Sequence, residues 1–150
     1  MTEWGELPKS VLFACSLNSV RSPMAAAILN HLAGHRASAV SAGARRGKTD
    51  AFAAAAMDEI GIDISEHQPT AMSDMEETSF DLIITLSPEA HHQALELARS
   101  LPAEVEYWPV ADPTAVSGSR EQIMNAYRAC RDQLMEQIKR RFGLGGAPHV

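Results

Sequence analysis

A chain of 150 residues with 45% hydrophobic and 21% charged side chains is long enough to bury a core without disulfides or metal. A net charge of −6 leaves no basic excess to offset phosphate repulsion, which argues against a nucleic-acid partner. Met1–Glu6 has neither a basic region nor an apolar stretch, no run reaches membrane-spanning length, and two cysteines make no disulfide framework, so a cytoplasmic protein with no membrane partner is expected.

In chain order, the first predicted strand is Val11–Ala14, apolar and of strand length, and Pro23–Ala33 reads as the helix after it. A second strand is expected at Ala37–Ala42, closed by Gly43, then a helix at Ala51–Ile60. Glu66–Ser79 reads as a loop with a short helix, the acidic run Asp74–Glu77 being its solvated face. A third strand is expected at Leu82–Leu86, a helix at Ala90–Leu101, and a fourth strand at Val105–Val110. The last helix runs from about Ser119 to Phe142, with Ser119 and Gln122 spaced as a capping box and Gly143 as its stop. Ala147–Val150 reads as a frayed tail. Alternating strands and helices imply an α/β fold with a parallel sheet covered on both faces. The expectation is one domain over residues 1–150, its core at about 9–142, without repeat or linker.

The stretch VLFACSLNSVRSPMAAAIL carries the chemistry. It places Cys15 at the end of a strand and Arg21 at the start of a helix, with a polar turn between them. Backbone N–H groups in such a turn, with the positive end of the helix dipole, make a cradle for an anion. That field favours thiolate over thiol at Cys15. Arg21 supplies a planar fork for two oxygens of a phosphoryl group. A buried, inert cysteine is the competing reading, and the polar residues Ser16, Asn18, Ser19 and Ser22 speak against it. Ligands of parallel sheets lie beyond the carboxyl ends of the strands. Asp112-Pro113 directly follows the fourth strand, so Asp112 is a candidate acid and base facing Cys15, or a simple turn opener.

With CSLNSVRSP near one end and WPVADP near the other, the chain resembles the low-molecular-weight protein-tyrosine phosphatases, a fold shared with thioredoxin-coupled arsenate reductases. The resemblance covers about Lys9 to Phe142 and implies a three-layer α/β sandwich around a four-stranded parallel sheet. It implies catalysis without metal or cofactor, with Cys15 as nucleophile, Arg21 as phosphoryl clamp and Asp112 as acid and then base. Ser16, Leu17, Asn18, Ser19, Val20 and Ser22 become the phosphate-binding loop. Ser22 matches a serine that hydrogen-bonds the thiolate, and Asn18 an asparagine that holds a strained backbone, a conformation Asn tolerates. Ser41 and His67 match residues that brace the loop.

The departures from the family pattern carry expectations too. Val20 stands where many such phosphatases have a second cysteine, which removes the usual disulfide partner of the nucleophile. Thr114 replaces an aromatic cleft wall, and Ala44-Arg45-Arg46-Gly47-Lys48 is short and basic where a bulky residue is usual. Weak preference for phosphotyrosine and a rim attractive to extra negative charge are therefore expected. Cys130 shares a helix face with Ile123, Tyr127 and Leu134 and reads as core. His91-His92 point apart on a helix and do not read as metal ligands. The expected activity is phosphomonoester hydrolysis through a phosphocysteine, on a phosphorylated protein or small phosphate monoester. The alternative is arsenate reduction in the same loop with an external thiol, because Cys130 alone cannot supply a relay.

Overall fold

The computed structural model describes residues 8–76 and 79–144; Met1–Glu6, Glu77 and Ala147–Val150 lie outside them. Four strands, β1 (Ser10–Cys15), β2 (Ser38–Gly43), β3 (Leu82–Thr85) and β4 (Glu104–Tyr107), pair in parallel in the order β2-β1-β3-β4. Helices α1 (Arg21–Ala33), α2 (Ala51–Asp58) and α4 (Arg120–Phe142) belong to the core on one face of the sheet, and α3 (Pro88–Ala98) covers the other. The α/β sandwich is the expected one.

Alternation along β1 explains the two layers. Val11, Phe13 and Cys15 join the core with α1 and α4, while Leu12 and Ala14 join Ala90 and Ala94 of α3. From β1 the chain crosses to β2 on one side and later to β3 on the other. The carboxyl end of β1 is thus the switch point of the sheet, where a crevice opens. Cys15 ends that strand, in register with Gly43.

Element boundaries differ from the sequence expectation where caps and prolines decide them. Helix α1 starts at Arg21, so the clamp arginine lies in its first turn. Helix α3 starts at Pro88 rather than Ala90, because Ser87 accepts from the Ala90 amide and Pro88 needs no donor there. Strand β4 stops at Tyr107 instead of Val110. The amides of Trp108 and Val110 still donate to Thr85 and Leu86, but Pro109 between them has no N–H and sits on an edge that tolerates it. The described part of the acidic run, Asp74–Glu76, is not the face of a longer helix. A single 3-10 turn, Met72–Asp74, passes into extended backbone at Met75. Helix α4 has the expected capping box, with Gln122 N–H on Ser119 Oγ at 3.1 Å and Ser119 N–H on Gln122 Oε1 at 2.8 Å. Gly143 closes it with φ of 64°. Arg128 and Arg131 join α4 to Glu59 at the end of α2 and hold that carboxyl down at about 2. No helix among the described residues is long and apolar enough to cross a membrane.

Candidate active site

Residues 15–22 form a loop whose first four carbonyls are engaged from outside it. Cys15 O accepts from Ala44 N–H at 2.9 Å, Ser16 O from Arg45 N–H at 2.8 Å and Leu17 O from Gly47 N–H at 2.8 Å. Asn18 O accepts from His67 Nε2 at 2.8 Å. The amides of residues 16–20 donate to no protein acceptor among the described residues. Helix α1 follows with Val20 as its N-cap, no capping side chain and no acidic residue in its first turn. Its orphan N–H groups and positive dipole end are therefore available to an anion.

The chain segment that takes up these carbonyls runs very close to the loop. A Cβ at Gly43 would stand 2.7 Å from Asn18 N, and one at Gly47 would stand 2.6 Å from Ser19 Oγ. Only glycine permits that approach, so the end of β2 and the turn after it are part of the site's frame.

Asn18 is the keystone. Its φ of 59° turns the chain at a point where most side chains are strained. The side chain is fully buried, with Nδ2 donating to Ser22 Oγ at 2.8 Å and Ser41 Oγ at 2.9 Å, and Oδ1 accepting from Thr70 N–H at 2.8 Å. Ser22 Oγ lies 2.9 Å from Cys15 Sγ and 3.3 Å from Ala42 O. The hydroxyl has one proton, which goes to sulfur when Cys15 is a thiolate and to the carbonyl when it is a thiol. Asn18 and Ser22 thus lie beneath the loop, while Cys15, Ser16, Leu17, Ser19, Val20 and Arg21 line a cleft of about 190 Å³.

Arg45, Asp112 and Thr114 complete that cleft. Arg21 is buried, its Nη1 donating to Val110 O at 3.0 Å and its Nη2 standing 3.8 Å from Asp112 Oδ2. Asp112 opens a 3-10 turn (Pro113–Ala115), where Oδ1 accepts from Thr114 N–H at 2.9 Å and Thr114 Oγ1 at 2.7 Å. The carboxylate's other oxygen faces Arg21. The sequence marks Thr114 only as a missing aromatic, yet it holds the aspartate. An Asp-Pro-Thr run is a recognisable Asx turn and could have signalled this.

Some expectations need correction. The basic rim reduces to one residue, because Arg46 and Lys48 are exposed but do not border the cleft. Arg45 does border it, with its Nε and Nη2 on Glu89 at 2.8 and 2.9 Å. Sequence reading missed Glu89, Thr70 and Ser87, whose Oγ accepts from Ser16 Oγ at 3.0 Å. Nothing local marks them, since each meets the loop through the fold.

Neither aromatic near the fourth strand walls the cleft. Trp108 packs edge-on against Phe13 at 6.2 Å, and Tyr107 stacks on His91 at 4.6 Å. His91 Nδ1 pairs with Thr85 Oγ1 at 2.9 Å, a packing role, and His92 is not part of that pair. Cys130 is in the core with Tyr127 and Leu134, as its spacing implied. Burial pushes its thiol up to about 12; Arg21 opposes the rise, while Asp112 and Cys15 add to it.

The family model for low molecular weight phosphotyrosine protein phosphatases matches residues 10–142. An arsenate reductase of Bacillus licheniformis is 32% identical over 88% of this chain and 94% of that relative. Among solved structures, an arsenate reductase in its phosphate-binding state superposes with TM-score 0.70 at 26% identity, covering 90% of this chain and 97% of the other. The low molecular weight protein tyrosine phosphatase from T. tengcongensis superposes with TM-score 0.74 at 23% identity, covering 87% and 95%.

Proposed function

The chain belongs to the low molecular weight phosphotyrosine protein phosphatase family, and within it we propose a phosphomonoester hydrolase that works through a phosphocysteine on Cys15. One observation carries this reading: Cys15, Arg21 and Asp112, brought from opposite ends of the sequence, line one cleft with the loop amides unpaired beneath it.

The phosphoryl oxygens sit on the amides of residues 16–20 and on the Arg21 guanidinium, whose Nε has no protein partner among the described residues. Cys15 sulfur attacks phosphorus with the Ser22 hydroxyl donating to it. Asp112, as the acid, protonates the departing ester oxygen. The resulting carboxylate then takes a proton from water as that water attacks the phosphocysteine. Inorganic phosphate leaves, and thiolate and acid are restored. The substrate is a phosphorylated protein or a small phosphate monoester.

Arsenate reduction is the second reading, favoured by the names of several relatives, the Bacillus licheniformis protein among them, and of several structural neighbours. Arsenate would occupy the same loop. Its two electrons would come from Cys15 and a second thiol, which join as a disulfide when arsenite departs. The chain holds two cysteines, and Cys130 is buried and firmly protonated, so that second thiol would be external. The hydrolase reading needs nothing beyond Cys15, Arg21 and Asp112, whereas the reductase reading needs a thiol from outside the chain. The deciding experiment offers purified protein aryl phosphates, phosphopeptides, and arsenate with thioredoxin, glutaredoxin or a small thiol. Phosphate release without added thiol supports the hydrolase. Arsenite formed only with an external thiol, without ester hydrolysis, supports the reductase.

A further inference from the structure

The cleft mouth carries a cation that the chemistry above does not use. Arg45 lines the cleft beside Leu17 and Thr114, and its backbone N–H is tied to Ser16 O at 2.8 Å. Its guanidinium is held on Glu89 by Nε and Nη2, one edge of the fork only. Nη1 has no protein partner among the described residues, so that nitrogen and the outer N–H of Nη2 keep free donors. Glu89 sits in the first turn of α3, where the helix dipole favours a carboxylate, and the Arg45 guanidinium holds it below the usual carboxylate range. Helix α3 is tied to the loop in turn by the bond between Ser87 and Ser16.

We propose that Arg45 is a second anion-recognising arm, reading a negative group next to the phosphoryl group of a phosphate monoester, and that Glu89 is the residue that positions it. The proposal rests on the hydrolase reading and narrows its substrate class. A free surface arginine must be ordered before it can bind, whereas Glu89 has already restricted this one. An oriented fork gives paired, charge-assisted hydrogen bonds that a mobile point charge does not. Simple charge counting makes the opposite prediction for Glu89: removing a negative charge from the cleft mouth should help an anionic substrate. The two views separate cleanly.

The test uses two tyrosine-phosphorylated peptides that differ only in glutamate or glutamine beside the phosphotyrosine. Wild-type protein should favour the glutamate peptide about three- to tenfold in kcat/KM, through KM, with the preference fading as salt rises. Arg45→Ala and Arg45→Lys should both remove it, and Arg46→Ala, which deletes the same charge outside the cleft, should keep it. Glu89→Gln should lose most of it. A preference that survives Arg45→Ala overturns the arm, and one that grows in Glu89→Gln overturns the positioning role. Binding of both peptides to Cys15→Ser reads the same preference without turnover, so a failure of hydrolysis is distinguishable from a failure of recognition.

Discussion

The two sides of the cleft are held in different ways. The wall made by residues 15–22 is tied to the segments that follow β2 and β3, to Thr70 and to His67, and its key asparagine is fully buried. The wall made by Asp112–Thr114 is tied mainly to itself, through the turn that Thr114 closes on Asp112. Exposure follows the same division, with the Arg21 side chain 9% exposed and that of Asp112 44%. The first wall is set for an anion before one arrives, which is where electrostatic stabilisation draws its strength. The second presents a carboxyl to solvent, where proton exchange with water and leaving group is easy. Binding should therefore depend on the first wall, and proton transfer on the second.

Changes in the second wall should be large but selective. Asp112→Asn should slow alkyl phosphates by about 10²–10⁴-fold and affect activated aryl phosphates much less, because only a poor leaving group needs the proton. Steady-state rates across a series of leaving groups check this, and equal losses throughout would erase the distinction between the walls. Arg21→Lys should cost about 10²–10³-fold on every ester alike, since a point charge replaces the fork that binds phosphoryl oxygens. Isothermal titration with inorganic phosphate should show weakened binding for Arg21→Lys and near-native binding for Asp112→Asn.

A smaller effect probes the frame of the first wall. Asn18→Ala removes three side-chain hydrogen bonds and places alanine at φ of 59°, so it should destabilise the protein by about 2–4 kcal/mol in urea unfolding. Asn18→Gly relieves the backbone part alone and should recover about 1 kcal/mol of that loss. If Asn18→Ala were as stable as the wild type, the buried network would not be what holds the loop.

The smallest effect concerns the core behind the loop. Cys130 keeps its proton in the folded protein up to about pH 12 but ionises near 9.0 when exposed. Its contribution to stability is thus complete below pH 9 and is lost as pH climbs from there towards 12. Between pH 8 and 11 the wild type should lose about 1–3 kcal/mol more stability than Cys130→Ala, with turnover at neutral pH the same in both. Parallel losses would mean that the thiol is not held neutral.

What was legible in the sequence divides along the same line. Cys15, Arg21, Ser22 and Asn18 lie within one strand–turn–helix unit, so their chemistry and their geometry are both local and could be read together. Asp112 was readable because the carboxyl ends of parallel strands converge on one edge of the sheet. The brace of Ser41 and His67 followed from family resemblance, and both do contact Asn18. The bond from Thr70 and the pairing of Arg45 with Glu89 join residues far apart in sequence, 52 and 44 positions, with no periodicity to betray them. Misplaced ends of β4 and α3 came from Pro109 and from the Ser87-Pro88 pair, where proline's missing donor decided the boundary.

The central claim, that Cys15 takes the phosphoryl group covalently, is tested most directly by rapid acid quench of protein during turnover of an aryl phosphate, followed by mass analysis. The best subject is Asp112→Asn, which lacks the carboxylate proposed to activate water while an activated leaving group still departs. The account predicts one phosphoryl group on Cys15, accumulating to a large fraction of the protein and absent from Cys15→Ser. Continued ester hydrolysis with no phosphate ever found on Cys15 would contradict it.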